Sequence, residues 1–280
     1  MENLIINILG IFILIWIFKS LFFKGNLQTR KEFHKSNLIG SKYSIQRDNG
    51  EDIHVLIYEN ENNKNNGLIV VGHGGALIDG DVERSDTFCD TLRKKCECMV
   101  VSVDYQKLGK NKPPYQQQEF IDTVKYFINN ASKYQISASK IIFVGFSGGS
   151  YLEIGAASIL ASQNLPIKCL FSFYPLLDDS IINLTDMGFL RFPITVISAN
   201  NSVENERIET WKNHLASHNV SFEHKAYSDA MMGFIEYQFE EYSQDPAFGK
   251  RLKQFDDEQC MMAQASMMWL ENEINQQLNE

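Results

Sequence analysis

From residue 43 onward the chain alternates short apolar runs with longer amphipathic stretches. The runs at 53–58, 68–71, 99–103, 141–144, 170–173, 194–198 and 221–226 are rich in β-branched and aromatic residues and short enough to be strands. Between and after them, 85–95, 117–130, 151–162, 204–216 and 258–278 carry helical spacing. That alternation predicts an α/β fold, a mostly parallel central sheet flanked by helices. The asparagine-rich stretch 59–66, ending at Gly67, reads as a hairpin loop joining two antiparallel strands ahead of the parallel run.

The chain opens on a different pattern. Residues 4–18 read LIINILGIFILIWIF, broken only by Asn7 and Gly10, and apolar character resumes at Leu21, Phe22 and Phe23. At about 1.5 Å per residue, residues 4–23 reach about 30 Å, the thickness of a hydrocarbon core, with Lys19 snorkelling to one interface. A cleaved signal peptide wants basic residues before the apolar run and small ones after it; here Glu2 precedes and Phe22, Phe23 and Lys24 follow. The pattern predicts an uncleaved transmembrane anchor at 1–23 rather than a buried helix, which would carry more polar positions. Lys19, Lys24, Arg30 and Lys31 all lie on its C-terminal side, which places the globular part in the cytoplasm. The polar and basic residues 24–42 then form a juxtamembrane linker, and 43–280 the α/β domain.

Composition narrows the function classes. With 44% apolar and 22% charged residues in 280, the chain has material for a large core and does not read as disordered. A net charge of -9 argues against nucleic acid as a partner, since that role wants clustered Lys and Arg. The five cysteines, Cys89, Cys96, Cys98, Cys169 and Cys260, form neither paired zinc-type clusters nor a dense disulfide pattern, and read as mostly buried thiols.

Two motifs carry chemistry. The first is the run 141–150, IIFVGFSGGS: a β-branched strand, a glycine turn, then a helix-compatible stretch. This context fits a nucleophile elbow, in which a strained turn exposes the hydroxyl of Ser147 and small neighbours permit the bend. The second is His73-Gly74-Gly75-Ala76, directly after the strand at 68–71. Backbone amides of Gly74 and Gly75, with that of Gly148 just after the serine, can form an oxyanion hole. His73 itself reads as a brace for the loop, not as a base.

With these residues in hand, the sequence resembles the hormone-sensitive-lipase and acetyl-esterase (fold-3) family of α/β-hydrolases, in order over most of 53–235. His73-Gly74-Gly75 looks like that family's oxyanion loop. Val103-Asp104-Tyr105 is similar to its Asp-Tyr-Arg segment, with Gln106 in place of arginine. Pro113 and Pro114, followed by Glu119 and Asp122, resemble its proline turn and acidic helix start, and Phe173-Tyr174-Pro175 the segment after its sixth strand. The resemblance implies an α/β-hydrolase fold, a serine acyl-enzyme, small acyl esters or lipids as substrates, and no metal or organic cofactor.

Two departures bear on mechanism. The resemblance puts the catalytic acid in the turn after the strand at 194–198, where Asn201 stands, and the catalytic histidine after the strand at 221–226, where Met232 stands. A thioether cannot accept the serine proton at neutral pH. His214 and His218 fall on or just past a helix and His224 within a strand, so none is expected at the histidine turn. Asp178, Asp179 or Glu204 could replace the acid, yet an acid without a base leaves Ser147 unactivated. Two functions remain open: a membrane-anchored serine esterase or lipase with weak or lost activity, and a pseudo-esterase that binds an acyl ligand or acts as a scaffold. A third, partner binding through Met261, Met262, Met267, Met268 and Trp269, competes with the simpler reading that these residues pack the last helix onto the core.

Overall fold

A computed structural model describes residues 37–280 apart from 61–62, 110, 166, 178–189, 191, 200–201, 240 and 242–251, with only the backbone for 202–204. Eight strands form one sheet: β1 (Ser41–Ile45), β2 (Ile53–Tyr58), β3 (Leu68–Gly72), β4 (Met99–Asp104), β5 (Ile141–Phe146), β6 (Cys169–Phe173), β7 (Ile194–Ser198) and β8 (Phe222–Ala226). Their spatial order is β1-β2-β4-β3-β5-β6-β7-β8. The β1–β2 and β2–β4 pairs are antiparallel, and every pair from β4 to β8 is parallel. The central strands are apolar almost throughout because helices cover both faces. β3, β4 and β5 are buried at every position. The edge strand β8 instead has no fully buried position and carries Glu223 and Lys225, charges suited to a sheet edge.

The helices are α1 (Asp86–Cys96), α2 (Tyr115–Asn129), the short α3 (Ala131–Tyr134), α4 (Gly148–Ser162), α5 (Ser202–Ser217) and α6 (Asp257–Asn279). α2, α4 and α5 bury side chains such as Phe120, Leu152 and Trp211 on one face of the sheet. α1 and α6 cover the other with Phe88, Leu92, Leu270 and Ile274. On α6 the buried positions Ala263, Met267, Leu270, Ile274 and Leu278 follow helical spacing, so this helix packs on the core. Met261 and Met268 stay exposed, and Trp269 lies edge-on to Phe171 at 5.9 Å.

The hairpin expected at 59–67 is not formed, because β4 lies between β2 and β3. The asparagines serve as crosslinks rather than as turn formers. Asn60 donates to Arg93 O, Asn65 to Cys96 O, and Asn63 to Gln135 O, so the stretch is tied to the ends of α1 and α3. Gly67 lies close under α6, where a Cβ would stand 2.6 Å from Leu278 Cδ2.

The membrane placement also requires correction. Among the described residues no helix is long and apolar enough to cross a membrane. The segment 4–23 that suggested an anchor lies outside those residues, as does most of the 24–42 linker. The anchor and the cytoplasmic orientation derived from it are set aside.

Candidate active site

Ser147 occupies the turn between β5 and α4 with φ 48 and ψ -114, a conformation that costs a non-glycine residue about 1–3 kcal/mol. The surroundings impose it. Ser147 N donates to Phe173 O at 2.8 Å, while Ser147 O accepts from Tyr151 N at 3.1 Å and Leu176 N at 3.4 Å. A Cβ on Gly149 would stand 2.4 Å from the Gly72 carbonyl, so only glycine lets the first turn of α4 cross the end of β3. The free amides and dipole at the start of α4 favour negative charge beside the serine.

The glycine loop that leaves β3 folds back on itself. Ile78 N and Asp79 N both donate to Gly75 O, at 3.0 and 2.9 Å. Gly75 has φ 133, and a Cβ there would meet Asp79 O at 1.9 Å. The loop reaches the elbow: a Cβ on Gly148 would lie 2.8 Å from Leu77 N and 3.3 Å from the Ala76 carbonyl carbon. Ser147, Gly148 and the 74–77 loop are thereby brought together, with the Ala76–Leu77 peptide next to Gly148. Gly74 sits towards Phe146 and Glu236.

His73 is a brace. Its ring is buried, stacks on Tyr105 at 4.2 Å, and bonds Gly74 O through Nδ1 at 2.7 Å. Burial holds the imidazole well below its ordinary pKa, and the Lys107 ammonium lowers it further. In the neutral ring Nδ1–H donates to Gly74 O, while Nε2 accepts from Lys107 Nζ at 2.9 Å. Tyr105 Oη donates to His73 O, fixing the loop to the end of β4. Next in sequence, Gln106 N donates to Glu119 at 2.6 Å, and Glu119 lies 4.0 Å from Arg47. Arg47, from the β1–β2 connection, is a cation beside this acid.

The turn holding Met232 follows β8. Gln259 of α6 clamps it, accepting from Met231 N and donating to Asp229 O, both at 2.8 Å. Met232 is half-buried and packs on the α1/α6 side of the core. Asn201, Asp178 and Asp179 lie outside the described residues, and Glu204 is described only as backbone in α5.

The remaining histidines are occupied elsewhere. α5 begins beyond the C-terminal end of β7 and finishes before β8 begins, so His214 and His218 lie toward the sheet edge opposite Ser147. His224 forms a Ser–His–Glu chain of its own, with Ser198 Oγ 2.8 Å from Nε2 and Glu209 Oε1 3.2 Å from Nδ1. Ser198 is only 2% exposed, which denies a substrate access to its hydroxyl. The chain ties edge strand β8 to α5.

Two buried acids escaped the sequence reading. Glu153 of α4 lies beneath the elbow, its oxygens 3.0 Å from the Cβ position of Gly72 and 2.3 Å from that of Gly145. Burial pushes the carboxyl well above the usual range, with the Gly72 backbone pulling the other way. Glu236, four residues past Met232, accepts from Tyr174 Oη at 2.8 Å. Burial raises it to about 7, with the tyrosine hydroxyl pulling the other way. The available signal was local: Glu153 interrupts the apolar stretch YLEIGAA, and Glu236 the aromatic one FIEYQF.

A cavity of about 570 Å³ opens between Ser139, Asn164, Phe192 and Gln277, at the opposite edge of the sheet from the elbow. Among the described residues no three His, Cys, Asp or Glu side chains converge as metal ligands. All five cysteines are free thiols, four of them buried.

A mostly parallel sheet whose fifth strand delivers a serine through a strained turn, facing a glycine loop from the adjacent strand, defines the α/β-hydrolase fold. Residues 69–188 match a family described as alpha/beta hydrolase fold. Over that stretch the chain is similar to members of that family. It is 34% identical over 113 residues to an arylesterase of Saccharolobus solfataricus, covering 40% of this chain and 37% of that protein. It is 29% identical over 111 residues to arylacetamide deacetylase-like 3 of Mus musculus, covering 39% and 27%. The matched region therefore spans 37% and 27% of these relatives' own lengths. Carboxyl esterase 2 from Tuber melanosporum shares the fold with a TM-score of 0.71 at 14% identity, over 92% of this chain and 94% of that one. An esterase from Rhizomucor miehei gives 0.70 at 16% identity, over 91% and 86%.

Proposed function

We propose that this protein is a carboxylic-ester hydrolase of the serine type, acting on small acyl esters or lipids through Ser147. The observation that carries the proposal is the strained elbow itself, packed against the 74–77 loop. In the reaction Ser147 Oγ bonds to the ester carbonyl carbon and its proton leaves for an acceptor. The carbonyl oxygen becomes an oxyanion facing the amides of Gly74, Gly75 and Gly148. Collapse expels the alcohol, which takes up a proton, and water then releases the acid from the acyl-serine.

The weak point is the proton. With Met232 where the resemblance places histidine, and Asn201 where it places the acid, the acceptor is water or hydroxide, and turnover is slow. In serine proteases, loss of triad members costs about 10⁴ to 10⁶ in turnover, while the oxyanion hole and binding keep about 10³ to 10⁴ over water. The same thioether favours a second reading, a pseudo-esterase that holds an acyl ligand without turning it over.

A fluorophosphonate probe and short p-nitrophenyl esters separate the two. Labelling and hydrolysis that disappear in Ser147→Ala support the hydrolase. Absence of any Ser147-dependent reaction leaves the binding protein.

A further inference from the structure

Glu236 is tied to the elbow by contacts on two sides. Its Oε2 accepts from Tyr174 Oη, which in turn accepts from Ile235 N at 3.2 Å, so the turn after β8 is fastened to the segment after β6. Its Oε1 lies 3.6 Å from the point where a Gly74 side chain would begin, and the same point is 3.7 Å from Phe146 Cβ. The carboxyl therefore borders the space beside Gly74, between the glycine loop and the residue preceding Ser147. Phe146, Tyr174 and Phe234 keep the surroundings apolar, with Tyr174 at 6.4 Å from Phe146 and 5.9 Å from Phe234, centroid to centroid.

We propose that neutral Glu236 is a positioning residue, holding the glycine loop at Gly74 against the elbow, and that its ionisation loosens the loop. The catalytic meaning of this rests on the reading of Ser147 as nucleophile; the mechanical part does not. A carboxylate in this pocket is poorly solvated, and it would set a negative charge beside the loop that must receive an oxyanion. The neutral acid avoids both penalties. Among the described residues, the groups facing it are Tyr174 from the segment after β6, the Gly74 backbone from the glycine loop, Phe146 from β5, and its own backbone amide. Neighbouring Tyr237 packs on Gly233, and His73 is turned to Gly74 O and Lys107.

The direction with pH follows. Burial raises the folded-state pKa to about 7, so the stabilisation from the neutral acid is complete below the ordinary carboxylate range and is lost as pH rises to about 7. Above that, the closed loop is disfavoured by about tenfold for each pKa unit separating its closed and open forms.

Amide hydrogen exchange over 73–77, followed from pH 6 to 9 in the wild-type chain, Glu236→Gln and Tyr174→Phe, tests the proposal. Wild type and Glu236→Gln exchange alike at pH 6, and by pH 8.5 the wild-type loop exchanges at least about tenfold faster. Tyr174→Phe moves the onset to higher pH, because the lost hydroxyl had been lowering the Glu236 pKa. A wild-type to Gln ratio that stays flat with pH overturns the proposal, as does an onset that moves down in Tyr174→Phe; the tyrosine variant decides alone if the Gln variant does not fold. Fluorophosphonate labelling run in parallel tests the parent reading separately: if Ser147 never reacts at any pH, the hydrolase reading fails and the exchange ratio still decides the role of Glu236.

Discussion

The two ends of the candidate site are built from different material. On the β3–β5 side the elbow and glycine loop consist of backbone: a serine with positive φ, glycines that admit strand against helix, and amides aimed by hydrogen bonds. On the β7–β8 side the site depends on side chains, and there Met232 fills a turn that Gln259 holds in place regardless of what position 232 carries. Backbone geometry cannot drift without damage to the fold. A side chain in a half-buried turn can change its chemistry at little structural expense, so position 232 is free to vary where the elbow is not.

The contrast breaks most sharply at positions 201 and 232. Asn201→Asp with Met232→His should raise esterase turnover by about 10² to 10⁴-fold, the usual worth of a positioned acid–base group, measured with p-nitrophenyl acetate. No rise would mean that the two positions do not face Ser147. On the backbone side the effect is on stability. Gly75→Ala, with its Cβ set 1.9 Å from Asp79 O at φ 133, should cost about 3 kcal/mol or more in urea unfolding, whereas Met232→Ala should cost about 1 kcal/mol. Similar losses in both would erase the distinction.

A smaller effect concerns the acid beneath the elbow. Glu153 has a raised folded-state pKa, so its favourable neutral form prevails below the ordinary carboxylate range, and stability is lost as pH rises from there. Glu153→Met should therefore match the wild type near pH 4 and exceed it by about 1–3 kcal/mol at pH 8. The smallest lies at the far edge. Ser198→Ala, which removes one link of the Ser198–His224–Glu209 chain, should cost about 1 kcal/mol and leave Ser147 labelling unchanged. A loss of labelling would draw that chain into the active site.

How far the sequence could be read follows from the same physics. The seven predicted strands stand out because buried parallel strands need unbroken β-branched runs, and the elbow because glycine must flank a strained serine. Strand β1 escaped notice because SKYSI is exposed at four of five positions and carries no apolar signature. The 59–67 stretch resembles a hairpin because asparagine side chains that crosslink α1 and α3 look, in one dimension, like turn formers. Glu153 and Glu236 were passed over because a lone acid reveals nothing of its depth; their aliphatic and aromatic neighbours were the only trace.

The central claim is that the nucleophile half is intact. Intact-mass analysis of the protein after fluorophosphonate treatment, with peptide mapping and the Ser147→Ala variant alongside, addresses it most directly. A single adduct on Ser147, formed slowly in the wild type and absent from the variant, is the expected result. An unmodified wild-type protein, or an adduct that persists in Ser147→Ala, would contradict it.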